Sequence, residues 1–176
     1  MTFAVTPQIN PQIARRLRGI EAFLLDVDGV LTDSAITLTP DGLQTRVFHM
    51  MDTDSIQAAQ KIGVHFGIIT THASDAVIAR ARELSIHDIY HGTYDKAEAY
   101  DEFKMLYELD DAQIAFMGDG ILDLSVLRQV GFAATPSNAH PSARMAAHFV
   151  SRHRGGHGAV REVLNMLVQV RSDAEM

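Results

Sequence analysis

The sequence predicts an α/β fold, a parallel sheet with helices on both faces. Three observations carry that prediction. Short apolar runs alternate with stretches of helical length along most of the 176 residues. Runs such as Phe23-Leu24-Leu25 and Ile114-Ala115-Phe116-Met117 are continuously apolar, which suits strands buried on both faces. Acidic and glycine residues stand directly after two of these runs, where an open parallel sheet binds its ligands.

Taken in order, Ile13 to Arg18 reads as a short surface helix closed by Gly19. The first strand follows at about residues 20–26. Ala35 to Thr39 and Thr45 to His49 alternate apolar with polar around Pro40-Asp41-Gly42, a β-hairpin inserted after strand one. Beside a site, such a hairpin suits a lid or a subunit contact. Helix and strand then alternate: a helix from Asp54 to Lys61, and a strand from Val64 to Ile69 ending in Thr70-Thr71-His72. Ser74 is placed to cap a helix from Asp75 to Leu84. Ile86 to Tyr90 is a strand, Asp95 to Glu108 a helix, and Ile114 to Met117 a strand ending in Gly118-Asp119-Gly120. Ile121 to Val130 is a helix, Phe132 to Ala134 a strand, and Pro141 to Ala146 a helix opened by proline. His148 to Val150 is a last strand, Gly155-Gly156-His157-Gly158 a turn, and Ala159 to Val170 the final helix. No repeat or linker divides the chain. Residues 1–176 read as one domain, with the hairpin at 33–50 and a C-terminal tail and helix at 153–176.

Composition excludes several functions. A net charge of −7 without a basic run argues against nucleic acid. With no cysteine there is no disulfide, thiolate nucleophile or cysteine-bound metal. No apolar stretch reaches the ~20 residues that span a bilayer. Met1 to Arg18 lacks the pattern of a secretory leader, so the cytoplasm is the expected compartment.

Four places carry candidate chemistry: Asp26 with Asp28, Thr70, Lys96, and Asp119 with Asp123. Each has a bland reading as a turn, a cap or a solvated helix residue. Two carboxylates two residues apart repel unless a cation joins them or one takes a proton. Together the four suit phosphoryl transfer. A carboxylate attacks phosphorus without needing a base. A metal offsets the phosphate charge, hydroxyls and cations hold its oxygens, and a second carboxyl group moves the proton.

Asp26-Val27-Asp28-Gly29-Val30-Leu31-Thr32-Asp33, then Thr70, Lys96 and Gly118-Asp119-Gly120-Ile121-Leu122-Asp123, resemble in order the four motifs of the haloacid dehalogenase superfamily, in its phosphatase branch. The likeness runs over residues 21–168. It implies a Rossmann-like sheet without a cap domain and an aspartyl-phosphate intermediate. By that resemblance Asp26 is the nucleophile and Asp28 the general acid/base, while Thr70 and Lys96 hold phosphoryl oxygens. Mg²⁺ is held by Asp26, the backbone carbonyl of Asp28, and Asp119; Asp123 orients Lys96 or supports the metal. The hairpin, Ala139-His140-Pro141 and the Gly155 to Val163 tail are similar to the family of 3-deoxy-D-manno-octulosonate 8-phosphate phosphatases. That likeness implies a phosphorylated sugar acid as substrate and a homotetramer whose hairpins form a central barrel.

The chain departs from that family's pattern at four points. His72, Met51 and His157 stand where arginines are usual, and Gly120 replaces a second acid. Histidine and methionine do not reproduce the guanidinium fork. Thr71, His72 and His157 are the remaining candidate substrate contacts, the histidines meeting an anion best when protonated. The hydrolytic residues are all present, whereas the anchoring of a carboxylate-bearing substrate is altered. Two other readings stay open: a degenerate member that uses another ester, such as a nonulosonate 9-phosphate, or serves for binding or structure; and a signalling receiver domain. The receiver is disfavoured because no lone Asp ends the Val64 to Ile69 strand and Lys96 precedes Asp119.

Overall fold

A computed structural model describes residues 9–72 and 74–174. Residues 1–8, which include Pro7, residue 73 and the last two residues of the tail lie outside the described residues. Six parallel strands form the sheet: β1 (Ala22–Leu25), β4 (His65–Thr70), β5 (Asp88–His91), β6 (Ile114–Met117), β7 (Phe132–Thr135) and β8 (Phe149–Val150). Their order is β5-β4-β1-β6-β7-β8. Two short strands, β2 (Thr37–Leu38) and β3 (Gln44–Thr45), pair antiparallel as the hairpin after β1.

Successive side chains of a strand point to opposite faces, and here each face is a core. Phe23 and Leu25, with Phe66, Ile68 and Met117, pack on one side beneath the helices α1 (Pro11–Arg18), α2 (Met50–Lys61), α3 (Asp75–Glu83) and α7 (Ala159–Ser172). Leu24, Ile69 and Phe116 face the other side, against α4 (Lys96–Leu106), α5 (Leu124–Leu127) and α6 (Pro141–Ala146). Burial on both faces is the reason these strands read as unbroken apolar runs. No helix among the described residues is long and apolar enough to cross a membrane.

Several boundaries differ from expectation: the hairpin strands, expected over Ala35 to Thr39 and Thr45 to His49, shrink to Thr37–Leu38 and Gln44–Thr45, and two helices change. The helix expected from Asp54 begins at Met50; its preceding residue, His49, makes no side-chain cap, so the sequence carries no N-cap mark for that start. The helix expected over Ile121 to Val130 is a tight 3₁₀ turn, Ile121–Asp123, followed by the single turn of α5.

The C-terminal turn is fastened to the loop after β1. Gly156 donates from its amide to the Val30 carbonyl at 3.0 Å. A side chain at Gly155 would overlap the carbonyl oxygen of Gly29. Gly155→Ala is therefore expected to cost at least about 1–3 kcal/mol, since neither side of the contact is a side chain that can swing away. Urea unfolding measures it. Asp52 fastens the same end of the fold: its Oδ1 accepts from the Arg161 amide at 2.8 Å, tying the start of α2 to the first turn of α7.

Candidate active site

Strand order reverses at β1: the chain goes from β1 to β4 on one side and returns to β6 on the other. The crevice beyond the carboxyl ends of these strands is where such sheets bind ligands. Leu25 pairs with Ile68 of β4 and Met117 of β6, so the residues after these three positions meet. Asp26, Thr70 and Asp119 stand there.

Asp26 is buried, with its Oδ1 accepting from the Val27 amide at 2.8 Å. Lys96 Nζ lies 3.0 Å from the same oxygen and 2.6 Å from Asp123 Oδ1. Lys96 is the first residue of α4, capped by the Asp95 side chain on the Ala97 and Glu98 amides. A buried cation at a helix N-terminus opposes the helix dipole and is costly to desolvate. Burial works against its charge, but Asp26 and Asp123 outweigh burial and leave its pKa raised.

The Gly118-Asp119-Gly120 segment has a steric reason. A side chain at Gly118 would overlap Asp123, and one at Gly29 would overlap the Asp119 carboxylate. Gly29 also sits at φ +95°, the left-handed region that suits glycine. Asp123 Oδ2 accepts from the Asp119 and Gly120 amides at 2.9 and 2.7 Å. The Asp119 carbonyl accepts from the His140 amide at 2.8 Å, so the Ala139-His140-Pro141 segment is tied to this loop through His140.

Oxygens of Asp26, Asp119 and Asp123 lie within 4.8 Å of one another. Asp123 is fully engaged by Lys96 and two amides, so Asp26 and Asp119 are the carboxylates left to meet a cation. Hard oxygen donors without soft ligands suit Mg²⁺. The charges fit as well, since three carboxylates face one ammonium. Burial, with Asp123 adding and Lys96 opposing, pushes the Asp26 carboxyl up to about 7. Burial and Asp123 push Asp119 up to about 6.

These shifts set a pH dependence. Between the ordinary carboxylate value of 3.8 and about 7, the metal-free fold holds protons that the unfolded chain has released. Its stability therefore falls as pH rises through that window. Mg²⁺ must displace those protons. The rise in melting temperature on adding Mg²⁺ is expected to be larger at about pH 8 than at about pH 5.5. Differential scanning fluorimetry with and without chelator checks it.

A cleft of about 400 Å³ opens above these groups. Asp26, Asp28, Thr70, Thr71, His72, Lys96, Asp119 and Asp123 all line it, with Tyr94, Ile121 and Leu122 at an apolar mouth. Of the candidate residues only His157 stands apart. It lines a separate cavity of about 840 Å³ between α1, β8 and α7, with His49, Arg152 and Arg161. That larger cavity contains none of the converging carboxylates.

The sequence reading missed Arg46. Three arginines are absent from the expected positions, yet this one arrives from the hairpin: its Nε donates to Asp28 Oδ1 at 2.7 Å and its Nη2 to Oδ2 at 3.2 Å. His72 Nδ1 lies 3.2 Å from Asp28 Oδ2. Thr45-Arg46-Val47 reads as ordinary strand alternation, so no local signal marks it.

A family model for haloacid dehalogenase-like hydrolases matches residues 43–164. The 3-deoxy-D-manno-octulosonate 8-phosphate phosphatase KdsC of Yersinia pestis is 32% identical over 167 residues, 95% of this chain and 89% of that protein. A crystal structure of the phosphatase of that name from Yersinia pestis superimposes with a TM-score of 0.92 at 31% identity, covering 95% of this chain and 90% of that one. The corresponding phosphatase from Moraxella catarrhalis, solved with a magnesium ion, a phosphate ion and KDO, gives a TM-score of 0.90 at 30% identity, covering 93% and 94%.

Proposed function

The chain belongs to the haloacid dehalogenase-like hydrolases, and we propose that within that family it hydrolyses a sugar-acid phosphate monoester of the 3-deoxy-D-manno-octulosonate 8-phosphate kind. The observation that carries this reading is Lys96. A buried ammonium 3.0 Å from Asp26 and 2.6 Å from Asp123, at the floor of an acidic cleft, suits a phosphoryl group between nucleophile and cation. The names of the relatives and the KDO bound to one of them support the sugar acid.

In this reading an Asp26 carboxylate oxygen attacks phosphorus, and the bond from phosphorus to the sugar oxygen breaks. The departing oxygen takes a proton from Asp28. Asp28 then takes a proton from water, whose oxygen attacks the phosphorus of the aspartyl phosphate and releases phosphate and the Asp26 carboxylate. Lys96 and the Thr70 hydroxyl hold phosphoryl oxygens. Asp123 orients Lys96. Asp26, the Asp28 carbonyl and Asp119 would hold Mg²⁺, which would offset the charge of the phosphate.

The reading takes residues 1–176 as one hydrolase domain working in the cytoplasm. The hairpin supports a homotetramer: Leu38, Leu43 and Val47 are 66%, 62% and 77% exposed, apolar surface suited to contact with copies of itself. Light scattering of the purified protein tests it. A second reading, an altered sugar acid such as a nonulosonate 9-phosphate, is favoured by one feature. Among the described residues no arginine lines the cleft, so a single protomer offers a substrate carboxylate no free fork; Thr71 and His72 are the contacts at hand.

A panel with Mg²⁺ separates these readings. The octulosonate ester, a nonulosonate 9-phosphate and neutral sugar phosphates are compared with Asp26→Asn as control. Preference for the octulosonate ester is expected. Equal turnover of neutral sugar phosphates removes the sugar-acid assignment, and turnover no greater than the control removes the phosphatase.

A further inference from the structure

Between Asp33 and Val47 the hairpin segment has one buried residue, and it is a cation, Arg46. The Arg46 side chain has no solvent exposure. Nε and Nη2 grip the two oxygens of Asp28, while Nη1 donates to Ser74 Oγ at 3.1 Å and Gln44 Oε1 at 3.4 Å. Four of the five guanidinium N–H groups are thus engaged, and no pair remains to fork onto a substrate anion. His72, in the loop after β4, touches the same Asp28 carboxylate from a second side. Meanwhile the oxygens that converge within 4.8 Å belong to Asp26, Asp119 and Asp123, and the Asp28 carboxylate is not among them.

A two-pronged pair fixes the rotation of a carboxylate as well as its charge. We propose that Arg46 is a positioning residue for phosphoryl transfer: the hairpin's buried guanidinium sets where the Asp28 carboxylate stands at the cleft. A movement of the hairpin is then a movement of the group that passes the proton. The inference rests on the phosphatase reading for what Asp28 does, and on the ion-pair geometry alone for what Arg46 does to Asp28.

The test compares wild type, Arg46→Gln and Arg46→Lys with Mg²⁺ on two esters. Ribose 5-phosphate is an alkyl ester without a carboxylate, and its leaving oxygen needs a proton. The leaving group of p-nitrophenyl phosphate departs without one. For Arg46→Gln, kcat/KM on ribose 5-phosphate is expected to fall about tenfold or more, and on the aryl ester less than about threefold. Arg46→Lys is expected to recover part of the difference, since it keeps the charge and loses the fork. Crystal structures of wild type and Arg46→Gln are expected to differ in the rotation of the Asp28 carboxylate. Equal losses on both esters overturn the proposal in favour of a mere hairpin staple. An Asp28 carboxylate that keeps its place in Arg46→Gln overturns it whatever the kinetics. A wild type inert on both esters counts against the phosphatase reading, and the crystal comparison still decides the role of Arg46.

Discussion

Asp26→Asn is expected to lower turnover of any phosphate monoester by roughly a thousandfold or more, because the amide cannot serve as the nucleophile and no neighbouring carboxylate can replace it. Asp119 is placed to meet a cation and Asp123 is bound to Lys96 and two amides, so neither is free to attack. The same substitution is expected to leave the fold intact. Burial holds the Asp26 carboxyl up at about 7, so at about pH 8 the metal-free protein carries an ionised group that its surroundings disfavour. Asparagine removes that charge, and Lys96 keeps Asp123 as its partner at 2.6 Å. The metal-free melting temperature at about pH 8 is therefore expected to equal or exceed that of wild type, while the stabilisation by Mg²⁺ shrinks. Steady-state assays and thermal melts on one preparation check both. A variant that melts far below wild type would show that Asp26 is a structural carboxylate.

Lys96→Met is expected to lose both stability and activity. The methionine matches the lysine stem in length but leaves Asp26, Asp119 and Asp123 without their nearby cation. Removing one partner of a buried ion pair costs about 3–5 kcal/mol. The loss is expected to be largest above about pH 7 and to shrink below it, because Asp26, raised to about 7, becomes neutral there. Activity is expected to fall by roughly 10²–10³, the usual effect of deleting one group that stabilises developing charge. Adding Asp123→Asn to Lys96→Met is expected to restore part of the stability and none of the activity, which separates folding from chemistry. Urea unfolding at two pH values and kcat/KM on p-nitrophenyl phosphate measure the effects. Full activity in Lys96→Met would end the role given to this cation.

The sequence alone determined the alternation of strands and helices, the buried strands and the hairpin, because each of these is local, while the run of motif positions from Asp26 to Asp123 came through the family resemblance. Unbroken apolar runs report burial on both faces, and carboxylates or glycines after them report strand ends. Lys96 was legible as a candidate through the resemblance, although locally it is an unremarkable helix-start residue. The helix expected after Gly120 was shortened by a non-local demand: Asp123 turns back onto two amides and Lys96, which holds its turn in a 3₁₀ form.

Other assignments came only with the tertiary structure. Met51 read as a departure from a family pattern, and its neighbour Asp52 drew no notice, whereas Asp52 ties the start of α2 to α7 across 109 residues of chain. His157 read as a substrate contact, but in one protomer it faces the cavity beside α7. Arg46 read as one polar position in the alternating Thr45 to His49 strand, and it is the side chain that grips Asp28. The physical reason is common to all three. Alternation and spacing specify which way a residue points within its own element. Where that element then comes to rest is set by contacts between segments far apart in the chain, and a one-dimensional pattern carries no record of them.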